Sequence, residues 1–157
     1  MILTFGSLVG CLGQTESTFV SADHYKTRKF DVAIFPSDYI ELFSGPSFTP
    51  TRQDIERAEL SLRKNLEQLN QPFVNQTPKT IIHKNLNKYK RQYFGSLGAS
   101  GQRFLIINCF WVKKRDKTTQ DWLKQRISVL DGGSYYWQVK FNLDTGELFD
   151  LNINGHG

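Results

Sequence analysis

The chain has 157 residues, a length that suits one domain with one hydrophobic core. Its 20 Lys and Arg against 15 Asp and Glu give a net charge of +5, which is too small to be a clear nucleic-acid signal. Two cysteines and three histidines exclude a disulfide framework and match no zinc motif. The composition therefore predicts a single domain with no metal site and no cofactor.

The first residues have the pattern of a bacterial lipobox. Leu8-Val9-Gly10-Cys11 places small residues before a cysteine where a polar stretch begins. In this interpretation Cys11 is the lipidation site, residues 1–28 are an export segment with its linker, and residues 29–157 form one α+β domain. The protein would then lie in the cell envelope and touch the membrane only through its lipid anchor.

An alternative interpretation of the same segment stays open. No Lys or Arg precedes the apolar run, although an export signal normally begins with positive charge. The segment would then pack as an edge strand with Cys11 as a buried thiol, and the protein would be cytoplasmic.

The next residues predict two short strands and then a helix. Residues 29–35 and 38–43 are β-branched and aromatic, with Pro36 between them. Thr51, followed three residues later by Asp54, provides a helix N-cap. The apolar residues of this helix recur at steps of three and four and lie on one stripe: Ile55, Ala58, Leu62, Leu66 and Leu69.

The second half of the chain predicts another helix and a four-stranded antiparallel sheet. Helical spacing of apolar residues covers 82–94, and the apolar run 104–112 predicts a central strand. Residues 122–131 alternate as a half-exposed strand, and residues 135–142 and 149–154 alternate around a turn at Asp144 as a hairpin. The predicted fold class is α+β, with helices packed on this sheet.

The polar side of the hairpin is the candidate binding face. If the two strands pair, five polar side chains lie within reach of one another: Gln138, Lys140, Asp150, Asn152 and Asn154. Amides and one ion pair suit an unknown protein partner or polar ligand. A solvated sheet face without a ligand has the same composition, so this alternative stays open.

The opposite side of the hairpin offers a rival site. An apolar pocket between helix and sheet would be lined by Phe110, Tyr135 and Trp137, and it would make the chain a small ligand-binding protein or enzyme. Asp131, Tyr136 and His156 could carry protons, but their spacing defines no catalytic arrangement. No catalytic residue is therefore predicted.

The predicted order of a helix followed by four antiparallel strands, together with two short stretches of sequence, carries a resemblance. Asp131-Gly132-Gly133-Ser134 leading into Trp137, together with the closing 150–155 stretch, resembles small bacterial exported proteins of cystatin-like or NTF2-like build. The resemblance covers residues 48–157 and implies a fold rather than an activity. Gln138-Val139 lies inside a strand without the loop glycine of inhibitory cystatins, so protease inhibition is not implied. The sequence favours a non-enzymatic binding or interaction module, exported and lipid-anchored.

Overall fold

The computed structural model describes residues 20–39, 45–71, 73–112 and 119–155. These residues contain one α-helix, α1 (Arg52–Leu69), and the 3₁₀ helices His83–Lys88 and Gly133–Tyr135. The strands are β1 (Asp23–Lys26), β2 (Asp31–Ile34), β3 (Ser47–Phe48), β4 (Tyr89–Leu97), β5 (Arg103–Trp111), β6 (Tyr136–Asn142) and β7 (Leu148–Ile153).

The strands form one seven-stranded mixed sheet. Its order is β1-β2-β4-β5-β6-β7, with β3 also paired to β4. The pair β2–β4 is parallel and the other pairs are antiparallel. Parallel pairing follows from the crossover, because β3 and α1 lie between β2 and β4 in the chain. The predicted class, helices on a four-stranded antiparallel sheet, is therefore wrong: the described residues form a mostly-sheet fold with one α-helix.

The first two strands extend the sheet beyond the predicted four. β2 lies within the predicted strand 29–35 and ends before Pro36, so it pairs on both sides without needing an amide from that proline. β1 lies inside the 1–28 range assigned to export and linker, so part of that range belongs to the sheet. Residues 40–43 of the second predicted strand lie outside the described residues.

The predicted helix is confirmed as α1, which spans 18 residues. Thr51 is its N-cap, and its hydroxyl accepts the Asp54 amide at 3.2 Å while its own amide donates to the Asp54 carboxylate at 3.0 Å. The apolar stripe faces the sheet: Ile55 and Leu66 have no exposed surface, and Leu69 at its C-terminal end is partly buried. The periodicity alone was enough to predict this element.

The predicted helix over residues 82–94 is wrong. A 3₁₀ helix (His83–Lys88) is followed directly by β4. The four-residue step from Tyr89 to Tyr93 fits a helix, but it also fits the two-residue period of a strand. Both tyrosines face α1, whereas Phe94 faces the other side of the sheet. Because both faces of β4 are buried, its sequence lacks the polar alternation of a half-exposed strand.

The predicted strand over residues 122–131 is also wrong. This segment contains turns and irregular backbone and forms no ladder with the sheet. Trp122 and Ile127 are nevertheless buried against the face of the sheet opposite α1. The segment therefore covers that face as an irregular layer.

The predicted central strand and final hairpin are confirmed, with one irregularity. β5 pairs with β4 and β6, and β6 pairs with β7. Gln138 lies opposite Asn152 but Lys140 lies opposite Phe149, so β7 carries an extra residue at this point. Asp150 accommodates this bulge with a left-handed φ of 55°. The bulge turns Phe149 onto the polar side of the hairpin, although the alternation predicts it on the apolar side.

The sheet separates two buried clusters. The larger one lies under α1, and its members from the sheet include Leu105, Cys109 and Trp137. The smaller one lies under the 122–131 segment and includes Phe35 and Phe110.

The larger cluster encloses a buried ion pair. Glu59 and Arg91 have no exposed surface, and Arg91 Nε lies 3.3 Å from Glu59 Oε1. Tyr93 donates its hydroxyl to the same carboxylate oxygen at 2.8 Å, and Arg91 donates to the Leu86 carbonyl at 2.6 Å. Glu59 Oε2 and Arg91 Nε make no hydrogen bond in the described part of the chain, so this pair is held by the ion-pair contact and by its remaining bonds, with Arg63 Nη1 3.8 Å from Glu59 Oε2.

Candidate functional site

Two amide side chains hold the irregular segment on the sheet. Gln92 and Asn108 lie opposite each other in β4 and β5, and both are buried. Gln92 Nε2 donates to the carbonyls of Trp122 and Gln125 at 2.6 and 2.7 Å, while its Oε1 accepts the Ile127 amide at 2.8 Å. Asn108 donates to the Ile127 carbonyl at 2.8 Å. Side chains therefore provide the partners that a strand would find in a neighbouring strand.

A polar groove runs between this segment and the last hairpin. We define the polar groove by Arg126 and Ser128 on one wall and Gln138 and Asn152 on the other, and its volume is about 300 Å³. Asn154 also lines the groove. The groove is formed by residues that are distant in the chain and that meet only because the segment is held on the sheet.

Arg126 carries the positive charge of the polar groove. Its guanidinium is half-buried and Nη2 donates to Gln138 Oε1 at 2.5 Å. Burial lowers the pKa of the Arg126 guanidinium, against the opposing effect of Tyr39. A guanidinium nevertheless keeps its proton in proteins. Arg126 Nε is shielded from solvent and has no acceptor in the described part of the chain.

The predicted binding face divides into two parts. Gln138 and Asn152 face each other across the hairpin and line the polar groove, as a ligand site would require. Lys140 and Asp150 form an ion pair at 2.6 Å outside the groove. Asn154 donates to the Val129 carbonyl at 2.5 Å, so it fastens the segment to the sheet.

The three residues of the predicted apolar pocket do not come together. Phe110 is buried in the cluster opposite α1, whereas Trp137 is buried in the cluster under α1. Tyr135 packs against Trp111, with ring centroids 5.3 Å apart. Tyr89 fills the space beside Trp137, with ring centroids 5.5 Å apart. These positions describe a packed core on each side of the sheet.

The sequence pattern alone assigns no functional role to Arg126. The signal was present in the alternation that predicts a strand over residues 122–131, because Ile127 does point into the core while Arg126 and Ser128 point away. What the alternation could not show is that the outward side chains meet the hairpin rather than bulk water.

A second charged cluster lies on β1, β2 and β4. His24 Nε2 is 2.7 Å from Asp31 Oδ1, and Lys26 and Lys90 lie 3.3 and 3.9 Å from the other carboxylate oxygen. Burial by itself would raise the pKa of Asp31, but the hydrogen bond from His24 and the two lysines outweigh it and lower that pKa. Lys90 also lies over the Trp122 ring at 4.2 Å. These contacts join three strands to the irregular segment.

The buried nucleophile and hydroxyls are chemically quiet. Burial raises the pKa of the Cys109 thiol and of the Tyr93 hydroxyl far above their usual ranges. A buried neutral thiol is a poor nucleophile. Within the described ranges no group of three or more His, Cys, Asp and Glu is arranged to hold a metal ion. The predicted lipidation site Cys11 and the candidate His156 lie outside the described residues.

Comparison with protein-family models, curated proteins and solved structures finds no match for this chain. The resemblance to exported proteins of cystatin-like or NTF2-like build therefore stays a prediction. In the part of the chain that the structure describes, no helix is long and apolar enough to cross a membrane. Function must be argued from the site itself.

Proposed function

We propose that this chain is a non-enzymatic binding module and that its ligand occupies the polar groove. The observation that carries the proposal is the pairing of Gln138 with Asn152 on one wall, opposite Arg126 and Ser128 on the other. A concave site with several convergent polar groups is the usual form of a site for a small polar ligand.

The chemistry of the lining supports binding rather than catalysis. The described residues that line the polar groove provide amides, the hydroxyls of Ser128 and Tyr136, the Arg126 guanidinium, the Trp137 indole and aliphatic groups. No histidine or carboxylate lies among them to act as a base for Ser128. Amides donate and accept hydrogen bonds without titrating, so this lining recognises a ligand at any physiological pH.

The amide wall is also backed by a rigid support. Gln138 and Asn152 project from paired strands, and the facing wall is fixed by the buried amides of Gln92 and Asn108. Side chains that are held in place before binding lose less conformational entropy when a ligand arrives. The proposal concerns the folded domain and holds with or without a lipid anchor at Cys11.

Nuclear magnetic resonance on the full chain, labelled with nitrogen-15, tests this proposal. The panel consists of neutral and acidic monosaccharides, amino acids and short blocked peptides. We expect at least one of these classes to shift the backbone amides of Ile127, Gln138 and Asn152 more than the amides of α1. A panel that shifts no amide around the polar groove would contradict the proposal.

Matched variants separate the groove from the rest of the hairpin face. Replacing Gln138 and Asn152 together by alanine should remove those shifts, because both amides of one wall are lost. Lys140→Ala is the control, since Lys140 lies on the same strand but outside the groove and loses only an exposed ion pair. Unchanged shifts in the double variant would remove the polar groove from consideration.

A further inference from the structure

We propose that Arg126 is the anion-recognising residue of the polar groove and that the ligand presents a carboxylate on a polar scaffold. This inference rests on the proposed function and names the substrate class of the same site.

Arg126 Nε is a hydrogen-bond donor that lacks an acceptor in the described part of the chain. Arg126 uses Nη2 for Gln138 Oε1, and its Nε is shielded from water without any acceptor in the described part of the chain. A shielded donor without an acceptor is unfavourable, so polar groups in this position normally have a partner. A small turn of the guanidinium would let a carboxylate in the groove accept from two of its donors side by side, in place of the neutral amide of Gln138.

Arg126 lacks a carboxylate partner among the described residues, unlike other arginines of this chain. Arg52, Arg91 and Arg103 each lie within ion-pair distance of a carboxylate of this chain. No described carboxylate lies within that distance of Arg126, although its guanidinium is half-buried. Its partner there is the neutral amide of Gln138. A positive charge in this setting attracts an anion from outside the chain.

The number of positive charges in the polar groove indicates the charge of the ligand. Arg126 is the one cation among the described residues that line the polar groove, and Lys140 nearby is already paired with Asp150. A single guanidinium balances a singly charged carboxylate, whereas a phosphate with nearly two charges calls for a second cation. The amides of Gln138 and Asn152 then suit hydroxyl or amide groups beside the carboxylate.

The main chain at Arg126 is held by hydrogen bonds that do not involve the Arg126 side chain. Its backbone amide donates to the Tyr39 hydroxyl at 2.9 Å, and the next residue, Ile127, is buried and bonded to Gln92. The position of Arg126 therefore does not depend on the contacts of its own side chain. A change of this side chain should leave the fold intact, which makes it suitable for mutation.

The test uses matched probes that differ in one charged group. The full chain is titrated with D-glucuronate and D-glucose, and with N-acetylglutamate N-methylamide and N-acetylglutamine N-methylamide. D-Glucose 6-phosphate is a fifth probe. We expect the carboxylate of at least one pair to bind about tenfold or more tightly than its neutral partner, because a hydrogen bond to a charged group is stronger than one between neutral groups. The pair that shows this difference tells whether the carboxylate belongs to a sugar or to a peptide.

Two substitutions at one position complete the test. Arg126→Gln should bring the acidic probe to the affinity of its neutral partner while the affinity of the neutral partner changes little. Arg126→Lys should retain part of the preference, because the charge remains but the planar fork is lost. The amide spectrum of each variant shows whether the fold is kept.

The outcomes distinguish the two proposals. Equal binding of acidic and neutral probes in the polar groove, or an unchanged preference in both variants, would overturn the role of Arg126 while the groove remained a binding site. Tighter binding of the phosphate than of either carboxylate would overturn the ligand class. Absence of any probe from the groove would overturn the proposed function and this inference with it.

Discussion

The two faces of the sheet are covered in different ways. One face is covered by α1, whose backbone satisfies its own hydrogen bonds and whose apolar stripe needs only a flat apolar surface. The other face is covered by the irregular 122–131 segment, whose carbonyls and amides need partners from the sheet. The backbone of the irregular segment therefore needs polar side chains of the sheet as partners, whereas the polar side chains buried under α1 pair with one another and not with the helix backbone.

β4 shows both solutions in one strand. Arg91 points toward α1 and finds the carboxylate of Glu59, while its neighbour Gln92 points the other way and binds the irregular segment. A charge is thus buried under the helix and a neutral amide under the segment. The polar groove follows from the second covering, because the buried amides of β4 and β5 hold the irregular segment where Arg126 and Ser128 lie beside the last hairpin.

Removing one charge of the buried ion pair under α1 should lower the free energy of unfolding by the largest amount. Glu59→Leu leaves the Arg91 guanidinium buried without its carboxylate, and we expect the free energy of unfolding to fall by about 3–5 kcal/mol. Urea denaturation followed by tryptophan fluorescence measures this change. The double variant Glu59→Leu with Arg91→Met should recover much of the loss, because no buried charge remains. A loss below about 1 kcal/mol in the single variant would show that the pair is not needed.

Breaking the segment side should have an intermediate and more local effect. Gln92→Leu removes the partner of two carbonyls and of the Ile127 amide, and we expect a loss of about 2–3 kcal/mol. Hydrogen exchange should rise more at Ile127 than at the amides of α1. Gln68→Leu, at an exposed position of α1, is the control and should change stability by at most about 0.5 kcal/mol. Equal acceleration in both regions would show that the two faces unfold as one unit.

The smallest expected change in stability comes from Asp31 of β2, whose partner Lys90 lies over Trp122 of the irregular segment. The Asp31 pKa is lowered in the folded state, so its carboxylate stabilises the fold fully above the unfolded pKa of about 3.9 and loses that effect as the pH falls through the folded pKa. Asp31→Asn should therefore cost less than about 1 kcal/mol at neutral pH. The difference from the unchanged chain should vanish in acid. Urea denaturation at a series of pH values measures it, and a difference that grows toward acid would reverse the sign of this argument.

Part of the candidate site could be predicted from the sequence. Gln138 and Asn152 were placed on one polar face because the two strands of a short hairpin are neighbours in the chain as well as in space. The bulge at Asp150 was not predictable, since nothing in a two-residue alternation marks where an extra residue is accommodated. The role of Arg126 needed the distant contact between its segment and β6.

The sequence by itself determined the elements whose signals are local. The capped, amphipathic α1, the apolar β5 and the β6–β7 hairpin are each set by residues within a few positions of one another. Only the tertiary structure decided the rest: that residues 89–94 form a strand rather than a helix, and that residues 122–131 lie irregularly on the sheet. The physical reason is that their polar side chains and backbone groups are satisfied by partners about 30 residues away, such as Glu59 for Tyr93 and Trp122 for Gln92. Local periodicity cannot record such partners, and the polar groove depends on them.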